Sequence, residues 1–175
     1  NSVSQGPILE QLTEEIGETE FESVTLSAPF FSPNAKVLER LSEEIDFDEV
    51  RLLLQKNNHN LNSIEEYEEV CEEIGCSLEV NRIENDRISH AKLLELDGKD
   101  GSYHLVGSAN MTQSALLETW ETGNVEAAVL VEADREVHAD VFDMEKQDEI
   151  DELLSDSVTD WEGDGSGELL ITSAK

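Results

Sequence analysis

Ile88-Ser-His-Ala-Lys-Leu-Leu-Glu-Leu-Asp97, then Gly98-Lys-Asp-Gly101, then Ser102-Tyr-His-Leu-Val-Gly-Ser-Ala-Asn110 is the stretch on which the reading of this chain turns. Two β-rich runs flank a segment of Asp, Gly and Lys, the composition of a hairpin turn. The pattern predicts strands from about Arg87 to Leu96 and from Tyr103 to Gly107. His90 and Lys92 stand two residues apart, as do Ser108 and Asn110. Alternate residues of a strand project from one face. The hairpin is therefore expected to turn an imidazole, an ammonium, a hydroxyl and a carboxamide toward one point, with Gly107 letting a ligand approach the backbone. Such a set can hold a phosphoryl group without a metal, and the imidazole supplies a nucleophile.

The flanking sequence predicts the frame that carries this hairpin. Pro7 through Ile16 reads as a short amphipathic helix with Pro in its first turn. Ser23 to Ala28 reads as a strand, and Pro29-Phe-Phe-Ser-Pro33 then blocks regular structure. Asn34 is placed to cap a helix reaching about Ile45, and Glu49 to Gln55 contains a buried strand. Lys56 to Asn62 is a polar loop. Ser63-Ile-Glu-Glu66 has the spacing of a capping box, opening a helix that stops at Gly75. Ser77 to Ile83 is the next strand. Beyond the hairpin, a short helix is expected around Thr112 to Thr119. A strand follows over Asn124 to Glu132, with Val125, Ala127, Val129 and Val131 on one face, and then a long acidic helix over about Asp134 to Leu154. The alternation implies an α/β fold, a mixed β-sheet of about six to seven strands flanked by helices on both faces. Residues 1–154 read as one domain with its core at about 21–132. Residues 155–175 read as a linker and the start of a following segment, and both ends look like cuts from a longer protein.

The chain has 175 residues and a formal net charge of −31, from 42 acidic and 11 basic residues. The acids interleave with apolar periodicity, as in Leu38-Glu-Arg-Leu41, so they are expected to coat a folded surface rather than form a tail. Near 1 M salt the Debye length falls to roughly 3 Å and the self-repulsion is screened. The surface is therefore read as adapted to the molar internal salt of a halophile cytoplasm. The domain is expected to lose structure on dialysis to about 10 mM salt, where screening is lost. A far-UV circular dichroism spectrum unchanged by that dialysis would contradict the reading. Cys71 and Cys76 form no disulfide framework and lack the partners of a metal site, so both are read as reduced and packed. No signal peptide or membrane span is visible.

His90-x-Lys92-x4-Asp97 followed by Gly107-Ser108-x-Asn110 resembles the HxKxxxxD…GSxN signature of the phospholipase D superfamily, and Asn124-x-Glu126 resembles that family's N-x-E element. The wording Gly-Ser-Ala-Asn-Met-Thr is closer to the nuclease-like and helicase-associated branch than to the lipases. The layout from about Ser23 to Glu132 fits one half of that fold. The resemblance implies a metal-independent phosphodiesterase without cofactors. His90 would form a phosphohistidine, Lys92, Ser108 and Asn110 would hold the non-bridging oxygens, and Glu126 would orient an imidazole. Asp97 would be structural. Only one signature is present, so a second half is required as partner, from a twin chain in a homodimer or from the missing part of a longer protein. The alternative is a catalytically silent binding or assembly module of a larger nucleic-acid-processing or defence protein. Lipid hydrolysis would want a membrane-docking surface, and only Phe30-Phe31 offers one.

Other residues carry weaker expectations. Arg82, Arg87, Lys92 and Lys99 gather in a short interval and could meet a polyanion, although Arg82 and Arg87 could equally pair with Glu84 and Asp86. Trp120 is a possible base-stacking contact, with a core position the more expected. His104 is read as a core residue, and His59 and His138 as solvated. Lys36, Lys56 and Lys146 are read as ordinary surface charges.

Overall fold

The computed structural model of the chain describes residues 6–17, 19–84, 88–146 and 150–155. The expected tail beyond Ser155, and Arg87, lie outside these residues. The elements in order are α1 (Ile8–Ile16), β1 (Phe21–Ser27), α2 (Lys36–Ser42), β2 (Phe47–Leu54), α3 (Glu65–Ile74), β3 (Ser77–Ile83), β4 (Leu93–Gly98), β5 (Gly101–Gly107), α4 (Gln113–Leu116), β6 (Ala128–Ala133), α5 (His138–Val141), β7 (Met144–Lys146) and α6 (Ile150–Ser155). The fold is α/β, and its seven strands form one mixed sheet in the order β6-β5-β4-β1-β2-β3-β7. β1, β2 and β3 run parallel, as helical crossovers require, and the remaining neighbours pair antiparallel.

Register separates the two faces of the sheet, because paired residues project to the same side. One face carries Val24, Leu26, Val50, Leu52, Leu94, Leu96 and Leu105, and joins Leu9, Leu12, Val37, Leu38, Leu41, Tyr67 and Leu116 of the helices in the main core. The other face is polar at its centre. Thr25 pairs with Arg51 on one side and Glu95 on the other, and Glu95 pairs in turn with His104. A small apolar cluster of Leu53, Ile83, Leu93 and Phe142 sits beside that row, where the α5 segment lies over the sheet.

Local chemistry explains most element ends, and tertiary packing shifts several. Pro7 precedes α1 directly. Gly75 ends α3 with φ +80°, and the amides of Gly75 and Cys76 donate to the Cys71 carbonyl at 2.9 and 3.0 Å. Asn34 does not cap α2; Ala35 precedes that helix with φ +49°. Ser63 lies one residue too early for a capping box and accepts a 3.1 Å bond from the Glu65 amide. The long helix expected over Asp134–Leu154 is replaced by α5, β7 and α6. Phe142 and Met144 pack on the second sheet face, β7 pairs with β3, and α6 returns Leu153 and Leu154 to the main core. The strand expected at Asn124 begins only at Ala128. Ala128 and Leu130 pack on the core, while Val129 and Val131 are exposed.

Two histidines expected in solvent are buried. His59 is 1% exposed with its ring bonded to the Leu153 carbonyl, and His138 is 4% exposed against Glu95. His104, read as core, is buried. No helix among the described residues is long and apolar enough to cross a membrane.

Candidate phosphoryl site at the strand ends

Four chain segments meet along one edge of the sheet. Ser27, at the end of β1, pairs with Leu93, which opens β4; Leu93 also pairs with Val106 near the end of β5; Gly107 pairs with Ala128, which opens β6. His90 and Lys92 therefore enter just before β4, Ser108 and Asn110 follow β5, and Asn124 and Glu126 precede β6. The loops after β1 and β2 emerge at the same edge. Crevices outside the carboxyl ends of parallel strands are the usual ligand sites of open α/β sheets.

His90 and Lys92 do not lie on a strand, contrary to the sequence reading. β4 starts at Leu93, and residues 88–92 form its irregular lead-in. The two side chains nevertheless share a cavity of about 410 Å³, lined also by Pro29, Phe30, Asn57, Asn58, His59 and Ile88. Lys92 donates a 2.9 Å bond to the His90 carbonyl. Burial lowers the Lys92 pKa, and the Glu126 carboxylate opposes that shift. Lys92 is thus electrostatically linked to the β5–β6 side of the site.

On that side Ser108 is the hub. Its amide donates to the Ala127 carbonyl at 2.9 Å, its hydroxyl accepts from the Ala127 amide at 2.9 Å, and the same hydroxyl donates to the Glu126 carboxylate. Asn124 donates to the other Glu126 oxygen at 3.2 Å. Glu126 is thus oriented by Ser108 and Asn124. The Asn110 side-chain oxygen is buried with no hydrogen-bond partner, an acceptor left open beside the site.

Gly107 has a different reason from the ligand approach expected of it. A Cβ placed there would lie 2.1 Å from the Ala127 carbonyl oxygen and 2.7 Å from the Ala128 Cα. The start of β6 crosses too closely for any side chain. Gly107→Ala is expected to destabilise the domain by about 1–3 kcal/mol through forced backbone displacement. The check is thermal unfolding, and an unchanged melting temperature would show that β6 yields freely.

The sequence reading missed the residues that hold the His90 lead-in. Asn58 donates to the Ser89 carbonyl at 2.6 Å and to the Gln55 side-chain oxygen at 2.9 Å, and that oxygen also accepts from the Ser89 amide at 2.7 Å. Asn60 makes both amide bonds to Phe31, at 2.7 and 2.9 Å, fixing the loop after β1. The available signal was the Asn-rich run after a buried strand: short amide side chains serve as backbone substitutes in loops.

Other expected residues lie elsewhere. Asp97 accepts from the Ser102 hydroxyl beside the hairpin turn. Lys99 lies at that turn, at the opposite end of the strands, so the basic cluster is not assembled in space. Arg82 is paired with Glu84 and Glu145. Trp120 is 61% exposed and does not line the His90 cavity. Glu95, Glu136 and His138 bring possible ligand atoms within 4.8 Å of one another. Glu136 there bonds the Arg51 guanidinium, and Glu95 accepts two backbone amides. That cluster is already satisfied by cationic and amide donors.

The family model described as cardiolipin synthase, PLD-like domain, matches residues 12–150. Among solved structures, the chain is similar to polyphosphate kinase from Porphyromonas gingivalis (13% identity, TM-score 0.38, covering 71% of this chain and 17% of that one). It is also similar to a variant of yeast tyrosyl-DNA phosphodiesterase (12% identity, TM-score 0.38, covering 70% of this chain and 29% of that one). The chain thus spans less than a third of either protein. No curated protein matches it.

Proposed function

Because the chain belongs to the PLD-like domain family, whose model covers residues 12–150, we propose that it is one half of a metal-independent, nuclease-like phosphodiesterase acting on nucleic acid. His90 attacks phosphorus, displacing one alkoxide and forming a phosphohistidine. An acid from the second half protonates the leaving oxygen, and water then releases the phosphate end from His90. Lys92 and the Asn110 side-chain N–H group donate to the non-bridging oxygens as charge grows on them, and the Ser108 hydroxyl, which in this structure donates to Glu126, joins them on turning to the substrate. Glu126 orients Ser108 and balances the Lys92 charge.

One observation carries this reading. Among the described residues, the cavity holding His90 and Lys92 is lined by no carboxylate, in a chain with 42 acidic residues. Another surface pocket is lined by the carboxylates of Glu20, Glu22, Asp46 and Asp48. An anion is repelled there and met by an ammonium in the His90 cavity. In the molar salt of a halophile cytoplasm, where we place the protein, long-range repulsion between a nucleic acid and the −31 chain is screened. Short-range contacts in the cavity then decide binding.

The second half comes from a twin chain or from a longer protein; sedimentation in molar KCl separates the two. The test of function is incubation with single- and double-stranded DNA in high KCl with EDTA, for this chain and for a protein supplying both halves. Cleavage that survives EDTA is expected wherever two halves meet. Binding without cleavage in the two-half protein would favour the silent module instead.

A further inference from the structure

The cavity beside His90 extends past the room a phosphoryl group needs, and its walls state what else it takes. Its apolar residues come from separate segments: Pro29 and Phe30 follow β1, and Ile88 belongs to the lead-in of β4. β1 lies between β2 and β4 in the sheet. The Asn58 bond to the Ser89 carbonyl ties the β2 loop to the β4 lead-in, so the two loops join across the end of β1, from which Pro29 and Phe30 emerge. Ile88 is 68% exposed despite lining this cavity, an apolar side chain left without a cover. Asn57, with φ +57°, adds an amide to the same cavity.

We propose that this cavity is a subsite for an aromatic ring attached to the phosphodiester, a nucleobase, which stacks on Phe30, packs against Ile88 and meets the Asn57 amide at its polar edge. The inference rests on the phosphodiester reading for His90 and Lys92 and adds the group next to it. A volume near 410 Å³ leaves room for a nucleoside-sized group beside the phosphoryl. A ring stacked on one aromatic side chain is bound with little dependence on base identity. Of the two amides that line the cavity among the described residues, Asn58 is engaged with Ser89 and Gln55, so Asn57 meets the ring's polar edge and the site selects for a ring rather than for a sequence.

The test uses the full chain in molar KCl, carrying His90→Ala so that no probe is consumed. A dinucleoside monophosphate containing 2-aminopurine reports stacking by fluorescence quenching. Competition is measured with dimethyl phosphate, dihexyl phosphate and methyl p-nitrophenyl phosphate. The expected result is quenching that weakens roughly tenfold in Phe30→Ala, the loss of one base–aromatic stack, and is kept in Phe30→Tyr. Ile88→Ala, at an exposed position where folding is not at stake, is expected to weaken it too. The p-nitrophenyl diester should compete well and the two alkyl diesters poorly. Dihexyl phosphate competing as well as the aromatic diester would overturn the proposal in favour of an alkyl pocket. Binding unaffected by both Phe30→Ala and Ile88→Ala would also overturn it. A neutral nucleoside that binds with the same Phe30 dependence, while no phosphodiester gains over it, would sustain the ring site and remove the phosphodiester reading.

Discussion

Replacing His90 by alanine in the two-half protein is expected to abolish EDTA-resistant cleavage, by a factor on the order of 10⁴ or more, because a covalent step disappears with its nucleophile. His90 is exposed and lies outside the strands, so the variant should keep the parent's stability to within about 0.5 kcal/mol. That separates a chemical loss from an unfolding loss. A labelled substrate should leave an alkali-stable phosphate adduct on the parent and none on the variant. Lys92→Met should also slow the reaction strongly, since it removes the ammonium that meets the developing charge. Gln55→Ala and Asn58→Ala should lower the rate with less effect on the chemistry's pH profile, since they release only the backbone on which His90 is carried. Cleavage that continues in His90→Ala, still resistant to EDTA, would remove His90 from the reaction.

The hairpin was legible because its signals are local. Turn residues between two β-rich runs require only neighbours to act, and β4 and β5 pair around Gly98 and Gly101 as the composition demands. That the segments of His90, Lys92, Ser108 and Glu126 lie at one end of the strands was legible for the same reason, through the hairpin and the element that follows it, although of these four only His90 and Lys92 line the His90 cavity. The detail was not. Residues 88–92 look like strand by alternation, but they lead over the end of β1, and Asn58 and Gln55 claim the Ser89 backbone that a ladder would have used. Asp134 to Leu154 has helical composition, yet Phe142 and Met144 gain more by covering Leu53, Ile83 and Leu93 than a continuous helix would allow. His59 and His138 could not be placed from sequence, since their partners are 94 and 43 residues away. Long-range partners leave no trace in periodicity.

The largest stability effect is expected away from the cavity, at Glu95. This residue is wholly buried at the centre of the sheet. Its carboxylate accepts from the Val137 and His138 amides at 2.7 and 3.2 Å and bonds the His138 ring, and the His104 ring nitrogen lies 2.9 Å away. It therefore pins α5 to the second sheet face. Glu95→Ala would strand two amides and the His138 imidazole in a dry site, a loss of about 3–5 kcal/mol. That is a large share of the roughly 5–15 kcal/mol that holds an ordinary domain folded. The same clasp should shape stability against pH. Burial pushes the Glu95 pKa up, but the His138 bond, the Val137 amide and the charges of His138 and His104 outweigh it and hold the pKa below 4.5. The Glu95 bond raises the His138 pKa above 6.5, with burial and Arg51 opposing and Glu136 assisting. Stabilisation from Glu95 is present above its unfolded value and lost as pH falls through the lowered folded one. Stabilisation from His138 is full below its unfolded value and lost as pH rises through the raised folded one. The clasp is strongest between 4.5 and 6.5, the two unfolded values. The acid side is shared with many other carboxylates, so the alkaline side discriminates. Melting temperature should fall as pH rises above about 6.5 in the parent, and this slope should flatten in His138→Gln and Glu95→Gln. Equal slopes in all three proteins would mean that the imidazole carries no charge in the folded chain, and that Glu95 is held by its backbone amides alone.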